Sequence, residues 1–460
     1  MAIRIKNLLA DAASYLGKPI ALSARIRTVR DMKGITFAEV WDGSRLSGIQ
    51  VVAEGDAAKT LQQAGTGAVV HVTGTVVESP AAGQEIEITA DTVTITVPCP
   101  SEYPLQKKRH SFEYLRTIGH LRPRTNAFYS VFYARSVLSQ AIHRFFHDNG
   151  FIYVHTPIIT AADAEGAGEM FAVTTLDLNN VPRDDAGAVD YGEDFFGKQT
   201  HLTVSGQLNV EAFALTYGNC YTFGPTFRAE NSNTNRHASE FWMVEPEMAF
   251  CDLQGDMENA QQMLKYCISA MLDEAAEQME FFDQFVQKGL IERLIAVRDA
   301  SFAHVTYTEA IDLLLKSNQK FEFPVEWGMD LQTEHERYIS EQIINGPVFV
   351  TDYPKDIKAF YMRNNEDGKT VAAMDLLVPG VGEIIGGSQR EERYDKLLQR
   401  MEQMDMDLAE YEWYLDLRKY GTIEHAGYGL GLERALMYMT GMQNIRDVIP
   451  YARTPRNADF

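Results

Sequence analysis

The chain has 460 residues, 45% of them hydrophobic, and a formal charge of −22. That length allows two or three domains, and that apolar share supports packed cores, which excludes a mainly disordered chain. The acidic balance excludes nucleic-acid binding through bulk basicity, because phosphate affinity comes from lysine and arginine. No apolar run reaches the length of a membrane span, and the opening MAIRIKNLLADAAS lacks the layout of a signal peptide. Four cysteines (Cys99, Cys220, Cys251, Cys267) lie far apart with no C-x-x-C pair. This argues against structural zinc and disulfides, and for a cytoplasmic protein.

Residues 1–100 read as β-structure. Short, partly alternating runs at Ile20–Val29, Ile35–Trp41, Gly48–Val52, Ala68–Val77 and Glu85–Val97 are separated by turn signals such as Asp42-Gly43 and Ala82-Gly83. Five strands with one helical connection near Ala57–Ala64 suit an OB-fold barrel, a frequent module for single-stranded nucleic acid; a small structural β-barrel fits the same pattern. Residues 101–125 read as a hinge introduced by Pro98, Pro100 and Pro104. Positive charge is local: Lys107, Lys108, Arg109, Arg116, Arg122 and Arg124 face only Glu113, and Arg25, Arg27, Arg30 and Lys33 surround Asp31. A basic track on an acidic body suits selective contact with a folded RNA.

From 126 the pattern turns helical. Asn126 is a suitable cap for a helix with apolar positions Val131, Ala134, Leu138, Ala141, Ile142 and Phe145, ended by Asn149-Gly150 and followed by a short strand Phe151–Val154. The glycine-rich loop Ala164-Glu165-Gly166-Ala167-Gly168-Glu169, with Ser205-Gly206-Gln207-Leu208 beyond it, has the flexibility and polarity to close over a substrate ammonium group. The segment FRAENSNTNRHASEF, Phe227 to Phe241, carries Arg228 and Glu230 on one strand face, a polar loop, then Arg236, His237 and Phe241. Cations for phosphates, a carboxylate for an adenine amino group and a ring to stack on the base together describe an ATP site; a surface hairpin with scattered charges is the plain alternative. In the strand that follows, Phe241, Met243, Glu245 and Glu247 share one face, while Trp242, Val244, Met248 and Phe250 share the other and are expected to pack on a helix.

Residues 252–346 read as a mainly helical insertion with no assigned chemistry. In MDLLVPGVGEIIGGSQR, Asp375 and Glu383 flank a glycine-rich turn and suit Mg²⁺ shared with phosphates, and Arg390 is a candidate for the substrate side chain. In GYGLGLERALMYMTG, Gly427, Gly429 and Gly431 precede a helix with Arg434 in its first turn. The spacing is not that of a dinucleotide fold, and suits either phosphate binding or tight helix–sheet packing.

Taken in order, these segments resemble motifs 1, 2 and 3 of the class II aminoacyl-tRNA synthetases, in the aspartyl, asparaginyl and lysyl subclass. The resemblance covers nearly the whole chain. It implies an N-terminal all-β OB-fold barrel that binds the anticodon (1–100), a hinge (101–125) and an α+β catalytic domain (126–460) with an antiparallel sheet flanked by helices. It also implies a homodimer formed through motif 1. In its terms Arg228 is the catalytic cation on the α-phosphate, and Glu230, His237, Phe241, Glu383 and Arg434 complete the ATP site. Asp375 and Glu383 hold Mg²⁺. Glu165 and Gln207 hold the substrate amine, with Glu169 a weaker choice, and Glu245 and Arg390 hold its side chain. Arg30, Phe37 and Gln50 read the anticodon, although Phe37 on a strand is equally placed for barrel core.

The amino acid follows from one departure. Aspartyl enzymes carry a lysine three residues after the glutamine of Ser-x-Gln-Leu; here that position is Val210. A pocket with Glu245 and Arg390 suits a carboxamide, which offers both donors and an acceptor, whereas aspartate would bring two buried carboxylates together. The run RAENSNTNRH resembles the bacterial asparaginyl branch. The expected reaction is ATP-dependent joining of L-asparagine to its tRNA through an adenylate. An aspartyl or non-discriminating synthetase, a paralogue making free asparagine by amidation (which would have little use for an OB module), and a noncatalytic RNA-binding paralogue are the alternatives.

Overall fold

The computed structural model describes residues 3–81, 83–162, 170–232 and 234–460. They form two compact units, Met1–Ser130 and Val131–Phe460. The first is built on strands β1 (Pro19–Met32), β2 (Ile35–Trp41), β3 (Ile49–Ala53), β4 (Val69–Glu78) and β5 (Ile86–Val97). They close into a barrel in the order β1-β2-β3-β5-β4, with β3 and β5 parallel and the helix Gly55–Ala64 between β3 and β4. This is the expected OB-type barrel. Alternation decides which side is inside: Ile20, Leu22, Ala24 and Ile26 of β1 point inward with Ala38, Val40, Val51, Val70 and Val72. Leu61 of the helix is fully buried against them. Removing a side chain of that size from water is worth about 1.5–3 kcal/mol.

The basic segment differs from its reading in one respect. Arg122 is buried, with its guanidinium 4.4 Å from the Phe128 ring, so it is withdrawn from the surface track. The helix Asn126–Asp148 is capped by Thr125, whose Oγ1 accepts from the Phe128 amide at 3.3 Å. Asn126 is its first helical residue, not its cap.

The second unit is built on an eight-stranded sheet. Its strands are β6 (Ile152–Tyr153), β10 (Asn219–Phe227), β11 (Glu240–Ala249), β12 (Ala303–Thr306), β13 (Val348–Pro354), β14 (Thr370–Val378), β15 (Gly382–Gln389) and β16 (His425–Gly431). The spatial order is β12-β13-β14-β15-β16-β11-β10-β6. The six central strands are antiparallel, but both edges are parallel pairs, β12 with β13 and β10 with β6. The sheet is therefore mixed rather than purely antiparallel, because each edge strand returns to the sheet through a helix instead of a hairpin. A separate three-stranded sheet holds β7 (Ile159–Thr160), β8 (Ala172–Val173) and β9 (Thr200–Leu202) in the order β7-β9-β8.

Helices Gln207–Tyr217 and Leu253–Glu274 pack on the sheet, the second through buried Met263, Leu264, Cys267, Ile268 and Met271. Tyr428 of β16 donates to Asn259 Oδ1 of that helix at 2.9 Å. Phe250 does not share the apolar face expected for it: it lies just past β11 with φ 55° and is 81% exposed. The four cysteines are free thiols. No helix among the described residues is long and apolar enough to cross a membrane.

Candidate functional site

The β10–β11 hairpin carries the first half of the site. Register pairs Phe227 with Glu240 and Thr226 with Phe241, and the Arg228 amide donates to the Ser239 carbonyl at 3.0 Å. Arg228 thus stands where the hairpin opens, its guanidinium 5.4 Å from the Phe241 ring. The second half comes from β15, β16 and the helix Leu432–Thr440. Arg434, in that helix's first turn and about half exposed, donates from Nη1 to Glu383 Oε2 at 3.1 Å. Arg228, Glu230, His237, Phe241, Glu383 and Arg434 all line one pocket of about 250 Å³, floored by Met243, Gly429 and Gly431. Sequence segments some two hundred residues apart therefore meet on one cavity.

Beside it lies a second pocket of about 290 Å³ that shares Arg236, His237, Glu383 and Arg434. Here Glu336 enters, from the short helix Thr333–Tyr338. Its Oε2 accepts from the Glu383 amide at 3.1 Å. Burial, then the charges of Glu383 and Asp375, push its carboxyl up to about 8. The segment 252–346, to which the sequence assigned no chemistry, thus supplies a carboxyl group to the site. No local pattern announces Glu336, which lies 47 residues before its partner.

Asp375 on β14 pairs with Lys358 Nζ at 3.1 Å. Asp375 and Glu383 face the same point over Gly386. A Cβ added there would stand 3.2 Å from Asp375 Oδ1 and 3.1 Å from Glu383 Oε1. A bare glycine keeps the space between the two carboxylates open. Among the described residues, no three His, Cys, Asp or Glu side chains converge on a metal position.

The other end of β11 builds a buried polar floor. Glu245 accepts from the Gly206 amide at 3.0 Å and from the Ser205 hydroxyl. Burial holds its carboxyl above the ordinary value. Glu247, two residues on, makes a two-pronged ion pair with Arg390: Nε donates to Oε2 at 3.2 Å and Nη2 donates to Oε1. Arg390 Nη1 donates to Ser388 Oγ at 2.8 Å. Burial opposes the Arg390 charge, but Glu247 more than offsets it, and the guanidinium ends above its ordinary range. Strand alternation had put Glu247 on this face without a role; its role as the counter-ion of Arg390 is the part the sequence did not disclose. Gly427 is required beside it, since a Cβ there would sit 2.4 Å from Glu247 Oε1. Gln207 opens its helix and donates from Nε2 to Glu211 Oε1 at 3.1 Å. Glu165 and Glu169 lie outside the described residues.

In the barrel, Arg30, Phe37 and Gln50 line a single groove of about 580 Å³. Thr36 and Ala38 turn inward, which turns Phe37 outward and removes it from the barrel core. Gln50 is held from Nε2 by Glu87 at 2.9 Å.

A closed OB-type barrel followed by an antiparallel-centred sheet with cations from two distant segments on one pocket defines a synthetase of the second class. Family models agree: residues 112–455 match "tRNA synthetases class II (D, K and N)" and residues 20–96 match an OB-fold nucleic acid binding domain. The chain belongs to the class II tRNA synthetases of the D, K and N group. Within that group it is similar to the asparagine–tRNA ligase of Desulfitobacterium hafniense, at 60% identity over 99% of both chains. The asparagine–tRNA ligase of Acetivibrio thermocellus is 59% identical, again over 99% of both. Among solved structures, the asparaginyl-tRNA synthetase of Pyrococcus horikoshii complexed with asparaginyl-adenylate matches with a TM-score of 0.86, 30% identity and 99% coverage of both chains.

Proposed function

We propose that the chain joins L-asparagine to its tRNA in two steps, with ATP as the source of energy. The substrate carboxylate oxygen attacks the α-phosphorus of ATP, the bond to the β-phosphate oxygen breaks, and pyrophosphate leaves. The terminal ribose hydroxyl of tRNA then attacks the adenylate carbonyl and AMP departs. The substrate supplies the nucleophile in the first step, so the protein contributes positioning and charge stabilisation. Arg228 meets the α-phosphate, where charge develops, and Phe241 stacks on adenine, whose amino group Glu230 accepts from. His237 and Arg434 hold the γ-phosphate of a folded-back triphosphate.

Asp375 and Glu383 present hard oxygens across an open space, which fits Mg²⁺ completed by phosphate and water. When bound, the cation neutralises phosphate charge. On the amino-acid side, Gln207 and Glu165 hold the ammonium group. Glu245 accepts from the carboxamide nitrogen and Arg390 donates to its oxygen. Residues 1–100 read the anticodon through Arg30, Phe37 and Gln50, residues 101–125 are the hinge, and residues 126–460 carry the chemistry. The working form is a cytoplasmic homodimer.

The observation that carries this reading is the single pocket lined by Arg228, His237, Phe241, Glu383 and Arg434. The names of the relatives point to the same amino acid. The test is pyrophosphate exchange with each amino acid in turn, followed by charging of tRNA bearing a GUU anticodon. Exchange driven by asparagine alone supports the reading. Exchange driven equally by aspartate contradicts it.

A further inference from the structure

Four side chains of the second unit converge on one carboxylate that touches neither pocket described above. Glu211 lies one helical turn after Gln207 on the same face and is completely buried. It accepts from Gln207 Nε2 at 3.1 Å, from the Tyr414 hydroxyl at 2.9 and 2.8 Å, and from Arg418 Nη2 at 2.8 Å. His425 Nε2 stands 3.0 Å from its Oε2. A carboxylate so far from water is tolerated only with partners of this kind. Burial pushes Glu211 upward, but Arg418, His425 and Arg390 pull it below its ordinary value. It is therefore a fixed negative charge.

Two consequences reach the amino-acid residues. Gln207 spends its donor end on Glu211, so the amide oxygen is the end turned to other partners. An ammonium group is a donor only and needs that oxygen. Arg418 and His425, both held by Glu211, also hold the backbone on either side of Arg390. Arg418 Nε donates to the Glu391 carbonyl at 3.0 Å, and the Arg390 amide donates to the His425 carbonyl at 2.9 Å.

We propose that Glu211 is the positioning residue of the amino-acid site, selecting the amide orientation of Gln207 and anchoring, through Arg418 and His425, the segment that carries Arg390. This rests on the reading of Gln207 and Arg390 as amino-acid contacts. Glu211 itself does not touch substrate. In a Glu211→Gln protein the new amide can donate to Gln207, which lets Gln207 turn and present its NH₂ to the ammonium group.

The test is amino-acid-dependent pyrophosphate exchange in wild type, E211Q, Y414F, Q207A and the double variants Q207A/E211Q and Q207A/Y414F. Glu211→Gln raises KM for asparagine by about tenfold, the scale of one charge-assisted hydrogen bond, and leaves KM for ATP unchanged. Tyr414→Phe, which keeps the charge and removes one donor, raises KM for asparagine by a smaller factor. Each change costs less in the Q207A background than in wild type, because part of its effect passes through Gln207 and only the Arg390 route is left to lose. Full additivity with Q207A, an equal rise in KM for ATP, or an unchanged KM for asparagine in folded protein overturns the proposal. If E211Q does not fold, Y414F with Q207A decides by the same criterion. Exchange driven by another amino acid would overturn the asparagine reading alone, and the same cycle is then measured with that amino acid.

Discussion

Replacing Glu247 by glutamine tests the proposal that the Glu245–Arg390 pocket takes an amide because Arg390 is already neutralised. In the native protein the Arg390 guanidinium is completely buried and gives two of its donors to Glu247 and one to Ser388. Its charge is answered inside the protein, so a substrate carboxylate gains little there. Glu247→Gln keeps the shape and removes the counter-charge. Two unit charges about 4 Å apart attract by roughly 4 kcal/mol at an effective dielectric of about 20. Part of that attraction becomes available to aspartate, while Glu245 opposes it. A gain of about 2–4 kcal/mol for aspartate relative to asparagine is a shift of about 30- to 700-fold in the ratio of their kcat/KM values. The same change leaves a buried cation without its partner and lowers unfolding stability by about 3–5 kcal/mol. The assay is pyrophosphate exchange with asparagine and aspartate separately, alongside thermal unfolding. A folded E247Q protein with an unchanged Asn:Asp ratio would refute the argument that Glu247 neutralises Arg390.

Other outcomes follow from the same geometry. Phe37→Ala raises KM for tRNA by about ten- to a hundredfold, the value of one base stacked on an aromatic ring, with asparagine-dependent exchange intact; loss of both activities together would contradict an anticodon role. Burial holds Glu245 above its ordinary 4.5, so the folded chain keeps a proton that the unfolded chain releases. The stability contributed by Glu245 is therefore full below pH 4.5 and is lost as pH rises through the folded value. Glu245→Gln flattens that decline, measured as unfolding temperature against pH, and weakens asparagine binding; an unchanged slope counts against it. Chelation of divalent cations stops exchange and Mg²⁺ restores it, while Glu383→Gln raises the Mg²⁺ concentration required; exchange that persists in chelator contradicts the assignment. Thr125→Ala lowers stability by about 1 kcal/mol through loss of the cap on Asn126–Asp148, whereas Asn126→Ala has a smaller effect.

Much of the fold is legible because its signals are local. Alternation and turn residues mark all five barrel strands, and the helix between β3 and β4 carries its own amphipathic pattern in Ala57, Ala58, Leu61 and Ala64. The pocket residues Arg228, Phe241 and Arg434 belong to compact motifs with distinctive spacing. What stayed hidden depends on contacts between distant segments. Glu336 meets Glu383, Arg418 and His425 meet Glu211, and Glu247 meets Arg390. None of these pairs has a fixed spacing, since the sheet order brings them together only after folding. The parallel edges of the sheet have the same origin: strand patterns specify faces, and crossovers specify direction. Arg122 looked like part of a basic track and is buried under Phe128, because a guanidinium on an aromatic face tolerates burial that a lysine would resist.

The most direct measurement is a crystal of the protein soaked with asparagine and a nonhydrolysable ATP analogue. The expected result is a bent triphosphate bounded by Arg228 at its α-phosphate and by His237 and Arg434 at its far end, with the carboxamide set between Glu245 and Arg390. A nucleotide bound away from these cations, or an amino-acid side chain turned away from Glu245 and Arg390, would contradict it.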